Sequence, residues 1–190
     1  LSQEAEQTQS VNTITFENGL LTGHNTDIFG FQKSIQSINY SIKNKKIFIL
    51  GAGGVVPSII FALNKMEVSK IIISNRTEKK AKDLKDQFKN IDVIEWGRLP
   101  EYDVIINATS LGLNNETINL DFSNNQNNKL FYDVIYNPSE TNFLREAKKF
   151  GHKVENGKLM FVYQAFEAFR LWHKVEPKIT EETLKLLKND

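Results

Sequence analysis

A glycine-rich turn between an apolar strand and a helix carries the clearest chemical signal. Residues 46–55 read KIFILGAGGV. Gly51 can form the tight turn and Gly53 can bring the backbone against a phosphate, because neither has a Cβ atom. Amides at a helix N-terminus attract a pyrophosphate, so we predict dinucleotide contacts at Gly51 and Gly53. Taken alone, an ordinary turn fits this segment equally well.

The residues after the next strand distinguish the two nicotinamide cofactors. An NAD site places Asp or Glu there to bind the ribose hydroxyls, whereas this chain has Asn75-Arg76-Thr77. The planar guanidinium of Arg76 suits a 2′-phosphate, with Thr77 and Lys80 as further donors. The pattern favours NADP, and the alternative is a surface arginine beside a helix cap formed by Thr77.

Two further polar segments follow strands and are expected at the same edge of a sheet. Residues 107–112 read NATSLG and residues 132–138 read YDVIYNP. Because ligands bind at the carboxyl ends of parallel strands, we predict that Thr109 contacts the cofactor and that Tyr136 covers the nicotinamide. An aromatic residue at a strand end is more often a packing residue.

Hydride transfer to a ketone also requires a group that handles a proton. Asp27, which follows a strand and opens a helix, is the best candidate, and the alternative role is an N-terminal helix cap. The three histidines are isolated in the sequence, and no metal-ligand spacing is present. We therefore predict no metal site.

The elements that position these residues alternate between strands and helices, which predicts an α/β fold with a Rossmann-like, doubly wound parallel sheet. The turn at Asn18-Gly19 predicts a type I′ hairpin ahead of that sheet, and an Asn-rich loop is expected at 124–128. Predicted strands cover 11–16, 20–24, 46–50, 70–74, 92–95, 104–107, 130–134 and 153–155. Predicted helices cover 27–38, 55–64, 78–88, 141–150, 159–172 and 181–187.

Composition limits the class of protein. The chain has 190 residues, 40% of them hydrophobic, a formal net charge of +1 and no cysteine. Disulfides, thiol nucleophiles and cysteine-ligated zinc are therefore excluded. The basic residues are spread along helix-like stretches, the apolar runs are short and the first residues do not resemble a signal peptide, so we predict a cytoplasmic protein with no nucleic-acid or membrane partner.

The motifs, in this order and spacing, resemble the shikimate dehydrogenase family, and the match covers almost the whole chain. The matching segments are VNTI at 11–14, GHNTD at 23–27, GAGG at 51–54, NRT at 75–77, NATSLG at 107–112, YDVIYNP at 132–138 and GKLMFVYQA at 157–165. The resemblance implies NADPH-dependent, reversible reduction of 3-dehydroshikimate to shikimate in the pathway to chorismate and the aromatic amino acids.

The resemblance also implies roles for individual residues. Asp27 would act in the proton-transfer pair. The implied substrate-binding residues are Asn12, Asp27, Gln164 and Tyr136. The implied cofactor-binding residues are Gly51, Ala52, Gly53, Gly54, Asn75, Arg76, Thr77, Lys80, Thr109, Gly157 and Met160. A small-molecule substrate is expected as the partner, with a monomer or homodimer as the assembly.

The same resemblance divides the chain and raises alternatives. Residues 1–26 are expected to be part of a substrate-binding domain, 27–157 the NADP-binding domain, and 158–190 helices that return to the substrate domain. The family carries a paired serine motif and a catalytic lysine ahead of this region, and this sequence begins at Leu1 without them. We therefore expect better NADP binding than catalysis from the chain as given. The alternatives are a truncated, non-catalytic NADP-binding module and a quinate/shikimate dehydrogenase.

Two residues depart from the family pattern near the glycine turn. Val55 and Val56 stand where the family usually has alanines. A smaller residue lets the helix pack closely on its strand. The sequence alone does not decide how these two valines affect NADP affinity.

Overall fold

The computed structural model describes residues 1–122 and 128–186, which form an α/β structure. The strands are β1 (Thr13–Glu17), β2 (Leu20–His24), β3 (Lys46–Leu50), β4 (Lys70–Ser74), β5 (Ile91–Ile94), β6 (Val104–Asn107), β7 (Leu130–Asp133) and β8 (Lys153–Glu155). The helices are α1 (Gln3–Thr8), α2 (Asp27–Ser37), α3 (Val56–Lys65), α4 (Glu78–Gln87), α5 (Asn142–Lys149), α6 (Lys158–His173) and α7 (Glu181–Leu186).

Six strands form one parallel sheet in the order β5-β4-β3-β6-β7-β8. The chain moves outward from β3 to β5 and then returns to the other side of β3, so the direction of winding reverses between β3 and β6. This is the strand order of a Rossmann-like sheet, and its ligand crevice lies at that reversal, beyond the carboxyl ends of the strands. The predicted fold class is confirmed.

The central strands are apolar on both faces because both faces are covered. Ile47 and Ile49 of β3 point into a core formed with α2, α3, α4 and the start of α6. Phe48 and Leu50, the alternate residues, point into a second core formed with α5 and with the loop that leads to residue 122. The period of two along a strand thus divides one apolar run between two cores.

The β1-β2 hairpin forms a separate two-stranded antiparallel sheet. Its turn places Asn18 at φ 50° and Gly19 at φ 79°, so both central residues have the positive φ that a type I′ turn requires. Ile14 and Phe16 of β1 are exposed. The buried Thr13 and Thr15 lie on the opposite face of the strand.

Most predicted elements occur within one or two residues of their expected bounds. The first strand begins at Thr13 rather than 11, and the first residues of the chain form the short helix α1, with its N-cap at Ser2. Residues 124–127 of the predicted Asn-rich loop lie outside the described residues. No helix among 1–122 and 128–186 has the length and apolarity needed to cross a bilayer.

Candidate active site

The glycine turn lies at the centre of the sheet edge. The Gly51 amide donates to Ser74 O at 2.8 Å, and the Ala108 amide donates to Leu50 O at 2.8 Å, so the ends of β4, β3 and β6 are joined side by side. Gly51 has φ +111°, and a Cβ atom there would lie 2.6 Å from Ala108 O. Only glycine satisfies both conditions.

Gly53 and Gly54 differ from Gly51 because they are exposed. A Cβ on Gly53 would find only Ala108 O, at 3.9 Å, and one on Gly54 would find nothing within 4 Å. Gly53 lines an open cavity of about 240 Å³, so a side chain there would occupy space next to the backbone. The turn has the accessible main chain that a phosphate-binding loop needs.

Most of the predicted cofactor residues surround this cavity. Its lining consists of Gly51, Ala52, Gly53, Asn75, Arg76, Thr77, Lys80, Trp96, Ala108, Thr109, Ser110 and Leu111. The lining contains two cations and no acidic residue, and within the described part of the chain neither Arg76 nor Lys80 has an ion-pair partner. Two unpaired cations beside exposed amides favour a polyanionic ligand.

Thr77 has only part of its alternative role as a helix cap. Thr77 is the N-cap residue of α4 by position, but its side chain makes no capping hydrogen bond. Instead the Asn75 side chain donates to Thr77 O at 2.8 Å, which fixes the turn after β4. The Thr77 hydroxyl is therefore available to a ligand in the cavity.

A buried network fixes the loop after β6. Asn107 Oδ1 accepts from the Thr109 amide at 3.1 Å and from its hydroxyl at 2.7 Å. Asn107 Nδ2 donates to the carboxylate of Asp133 at 3.0 Å, which also accepts from the Ile135 amide and the Thr141 hydroxyl. Burial raises the pKa of the Asp133 carboxyl, and these three donors oppose the rise. Thr109 is thus held in place from beneath the cavity.

A second cluster brings Asn12, Asp27 and Gln164 together. Asn12 Nδ2 donates to Asp27 Oδ1 at 2.9 Å, and Asn12 Oδ1 accepts from the Thr26 amide at 3.0 Å. The Thr26 hydroxyl lies 3.2 Å from Asn12 Oδ1 and 3.4 Å from Gln164 Oε1. Three residues that are far apart in sequence therefore meet around the buried Thr26 side chain.

Asp27 is the titratable group of this cluster. It is the first residue of α2, and Thr26 occupies the N-cap position. Asp27 therefore does not have the alternative role of a helix N-cap. Burial raises the pKa of its carboxyl, and the hydrogen bond from Asn12 opposes that rise. A carboxyl with this shift and one fixed donor is suited to proton transfer.

Asn25 ties the Asp27 segment to the helix that follows the glycine turn. Its Nδ2 donates to Thr8 Oγ1 at 3.0 Å and to Ser58 Oγ of α3 at 2.8 Å. Its Oδ1 accepts from the Asp27 amide at 3.1 Å. All polar atoms of this buried side chain have partners, so Asp27 has a fixed position relative to α3.

The remaining predicted residues lie outside the cavity. Tyr136 is exposed and stacks on Phe161 with ring centroids 4.7 Å apart. Met160 is buried in the first core. Gly157 precedes α6 where a Cβ would lie 1.9 Å from Val134 O, so this glycine is required by close packing on the end of β7.

Sequence reasoning assigned no role to Trp96, Leu111 or Thr26. Trp96 follows β5 by two residues, and the rule that strand ends line the crevice would have pointed to it. Thr26 precedes the predicted acid, and nothing in its type distinguishes it from an ordinary cap. Among the residues that the structure describes, no three His, Asp or Glu side chains lie together as a metal site.

Comparison with known proteins places this geometry in a family. The profile of the family described as Shikimate / quinate 5-dehydrogenase matches residues 33–140. Shikimate dehydrogenase (NADP(+)) of Pelagibacter ubique is 54% identical over 188 residues, which cover 98% of this chain and 71% of that protein.

Solved structures agree. Shikimate 5-dehydrogenase from Thermus thermophilus, in complex with NADP(H) and shikimate, aligns with a TM-score of 0.84 and 32% identity over 93% of this chain and 67% of that one. Quinate dehydrogenase from Corynebacterium glutamicum, in complex with NAD, aligns with a TM-score of 0.89 and 27% identity over 98% of this chain and 71% of that one. The chain belongs to the shikimate / quinate 5-dehydrogenase family.

Proposed function

We propose that the protein is an NADP-dependent oxidoreductase that reversibly reduces 3-dehydroshikimate to shikimate, a step of the pathway to chorismate and the aromatic amino acids. One observation supports this most directly. The half-buried Asp27 carboxyl accepts from the Asn12 amide, lies next to Thr26, whose hydroxyl contacts Gln164, and is tied through Asn25 to the helix beside the nucleotide cavity. The 54% identity to the Pelagibacter enzyme supports the same reaction.

The residues around the cavity fit NADP. The exposed main chain at Gly53 suits the pyrophosphate, and the unpaired Arg76 with Lys80 and Thr77 suits the 2′-phosphate. NADPH supplies the hydride when bound. Thr109 would complete the wall of the site, because Asn107 fixes its hydroxyl and amide.

Asp27 is the residue that we propose for proton transfer. Reduction of a ketone leaves negative charge on its oxygen, and a proton must reach that oxygen. Asn12 and Gln164 carry amides, which can hold substrate hydroxyl groups but do not titrate. The raised pKa of Asp27 brings its carboxyl closer to the pH at which it can exchange a proton. The family resemblance pairs this residue with a lysine.

The test compares wild-type protein with Asp27→Asn in the natively expressed polypeptide. We expect kcat for NADPH-dependent reduction of 3-dehydroshikimate to fall by about 10²- to 10⁴-fold, since a positioned acid or base contributes that much. The dissociation constant for NADPH should stay unchanged. Asp86→Asn, on the exposed face of α4, is the matched control. Undiminished turnover in Asp27→Asn would remove the role given to this carboxyl.

Two alternatives have distinct signatures. A non-catalytic NADP-binding module would bind NADPH tightly and turn over neither substrate. A quinate-active enzyme would oxidise quinate with a kcat/KM comparable to that for shikimate. The family includes quinate dehydrogenases by its description, and the Corynebacterium structure is one, so quinate belongs among the substrates to be assayed. Assaying shikimate and quinate side by side, each with NADP and with NAD, separates these outcomes.

The proposal extends to organisation and location. Residues 1–26 and 158–190 would contribute to the substrate-binding part and 27–157 would form the NADP-binding domain, since the six-stranded sheet lies wholly within the latter range. We place the protein in the cytoplasm as a monomer or homodimer. Sedimentation of the purified chain distinguishes the two assemblies.

A further inference from the structure

The nucleotide cavity has one strongly apolar part. Of its lining residues, Trp96 and Leu111 are the large apolar ones, and the others are glycine, alanine or polar. Both residues are partly buried and pack against the second core, the one that contains Phe48 and Ile105. The indole of Trp96 therefore forms a supported wall, with part of its surface open to the cavity.

The turn that presents Trp96 is fixed on both sides. The buried Ser74 hydroxyl, at the end of β4, donates to Glu95 O at 3.1 Å. The Arg98 amide donates to the same carbonyl at 3.3 Å, and Arg98 pairs with the Glu95 carboxylate at 3.2 Å. Gly97 takes φ +92°, a value that a side chain would resist. The turn that contains Trp96 is thus hydrogen-bonded to the end of β4, the strand that leads to Arg76.

The order of strands in the sheet places Trp96 next to Arg76, the candidate for binding the 2′-phosphate. β5 is the neighbour of β4 at the edge of the sheet, so the end of β5 with Trp96 lies beside the end of β4 with Arg76. The glycine turn lies on the other side of β4, after β3. Along the cavity the order is therefore main-chain amides, then cations, then an aromatic ring.

The chemistry of NADP has a matching order. Its pyrophosphate is joined to a ribose that carries the 2′-phosphate, and adenine is attached to the adjacent carbon of the same ribose. A purine ring binds best against a flat, polarisable surface. Arg76 and Lys80 are suited to the phosphate. The flat apolar side chain beside them, that of Trp96, is therefore the one suited to the base.

We propose that Trp96 binds the adenine ring of NADP and is a determinant of cofactor affinity in this chain. This inference rests on the proposed NADP-dependent function. It adds a residue that neither the glycine turn nor the cation pair identifies.

The experiment measures binding rather than turnover. Titration calorimetry of the full chain uses NADPH and 2′,5′-ADP, which is adenosine with its 2′-phosphate and one 5′-phosphate. Trp96→Ala should bind both roughly 10- to 100-fold more weakly than wild type. Trp96→Phe keeps an aromatic face and should stay within about fivefold of wild type. Trp172→Ala changes the other tryptophan, which is exposed at the end of α6, and should leave both affinities unchanged.

A second readout leaves Trp96 in place. In Trp172→Phe, Trp96 is the sole tryptophan, and 2′,5′-ADP should quench its emission in proportion to binding. In Trp96→Phe, the emission of Trp172 should not respond to 2′,5′-ADP.

The outcomes separate the two proposals. If wild type binds NADPH and 2′,5′-ADP while Trp96→Ala retains both affinities, or if Trp96 emission is unaffected at saturation, the adenine role is overturned and the NADP-dependent function stands. If wild type binds neither ligand, the proposed function fails and the adenine role fails with it.

Discussion

Arg76 illustrates how one unpaired charge can determine cofactor choice. It follows β4 at the cavity and, among the described residues, has no acidic partner to compete for its guanidinium. Only NADPH carries the 2′-phosphate that this group would bind. We therefore propose that the charge at this position selects NADPH, separately from the main-chain contacts that both cofactors would share.

We expect Arg76→Ala to weaken NADPH binding by roughly 10- to 100-fold, the equivalent of one or two charge-assisted hydrogen bonds. Binding of NADH should not change. Calorimetric titration with both cofactors checks this, and Arg145→Ala on α5, which is paired with Glu140, serves as the control. An equal loss for NADH would assign Arg76 to the common part of the cofactor.

At the scale of elements, the β3-α3 turn contains one glycine that the backbone geometry requires, Gly51, and one that we propose for ligand binding, Gly53. Gly51 has both a positive φ and a backbone oxygen where its Cβ would lie, whereas Gly53 has neither. The same substitution should therefore have different consequences at positions two residues apart.

Gly51→Ala should reduce the free energy of unfolding by about 2 kcal/mol or more, because strain at positive φ adds to the clash. Gly53→Ala should unfold like wild type but bind NADPH roughly tenfold more weakly, because its methyl group occupies the cavity. Urea unfolding and NADPH titration of both variants test the contrast. Equal stabilities for the two variants would contradict it.

Much of this element-level structure could be read from the sequence, for identifiable reasons. Strands such as β3 and β4 are continuous apolar runs because they are buried on both faces, and their ends are marked by glycine or polar residues. The cavity side chains at Arg76 and Thr109 could be predicted because they directly follow such strands. The same rule would have pointed to Trp96, which follows β5 by two residues, although β5 is not a continuous apolar run. The role of Thr26 depends on contacts with Asn12 and Gln164, which lie 14 and 138 residues away.

At the scale of the whole molecule, His152 should make stability depend on pH. Its ring is buried and stacks on Phe131 at 4.8 Å, and its two nitrogens have no hydrogen-bond partner within the described structure. Burial lowers the pKa of this imidazole below its usual 6.5, and the charge of Lys129 lowers it further. The unfolded chain therefore takes up a proton first, and stability is lost as the pH falls below 6.5 toward the folded-state pKa.

His152→Phe should remove this loss. Near pH 8 the imidazole is neutral in both the folded and the unfolded chain, and only its unpaired nitrogens cost stability. We expect the free energy of unfolding of the variant to exceed that of wild type by about 1 kcal/mol there, and by more near pH 5.5. Denaturant unfolding at the two pH values gives the difference directly. His173→Phe, at an exposed position, is the control. A constant difference between wild type and His152→Phe would mean that His152 does not titrate in this range.

The Asn25 side chain joins the two proposed binding sites. It holds the Asp27 amide with one atom and the Ser58 hydroxyl of α3 with another. A displacement of α3 by a nucleotide would therefore shift the acid as well. Linkage is reciprocal. If nucleotide binding changes the affinity for a ligand held by Asp27 by some factor, that ligand changes the affinity for the nucleotide by the same factor. Cooperativity between the two ligands would then need no domain motion, only one amide shared by two segments.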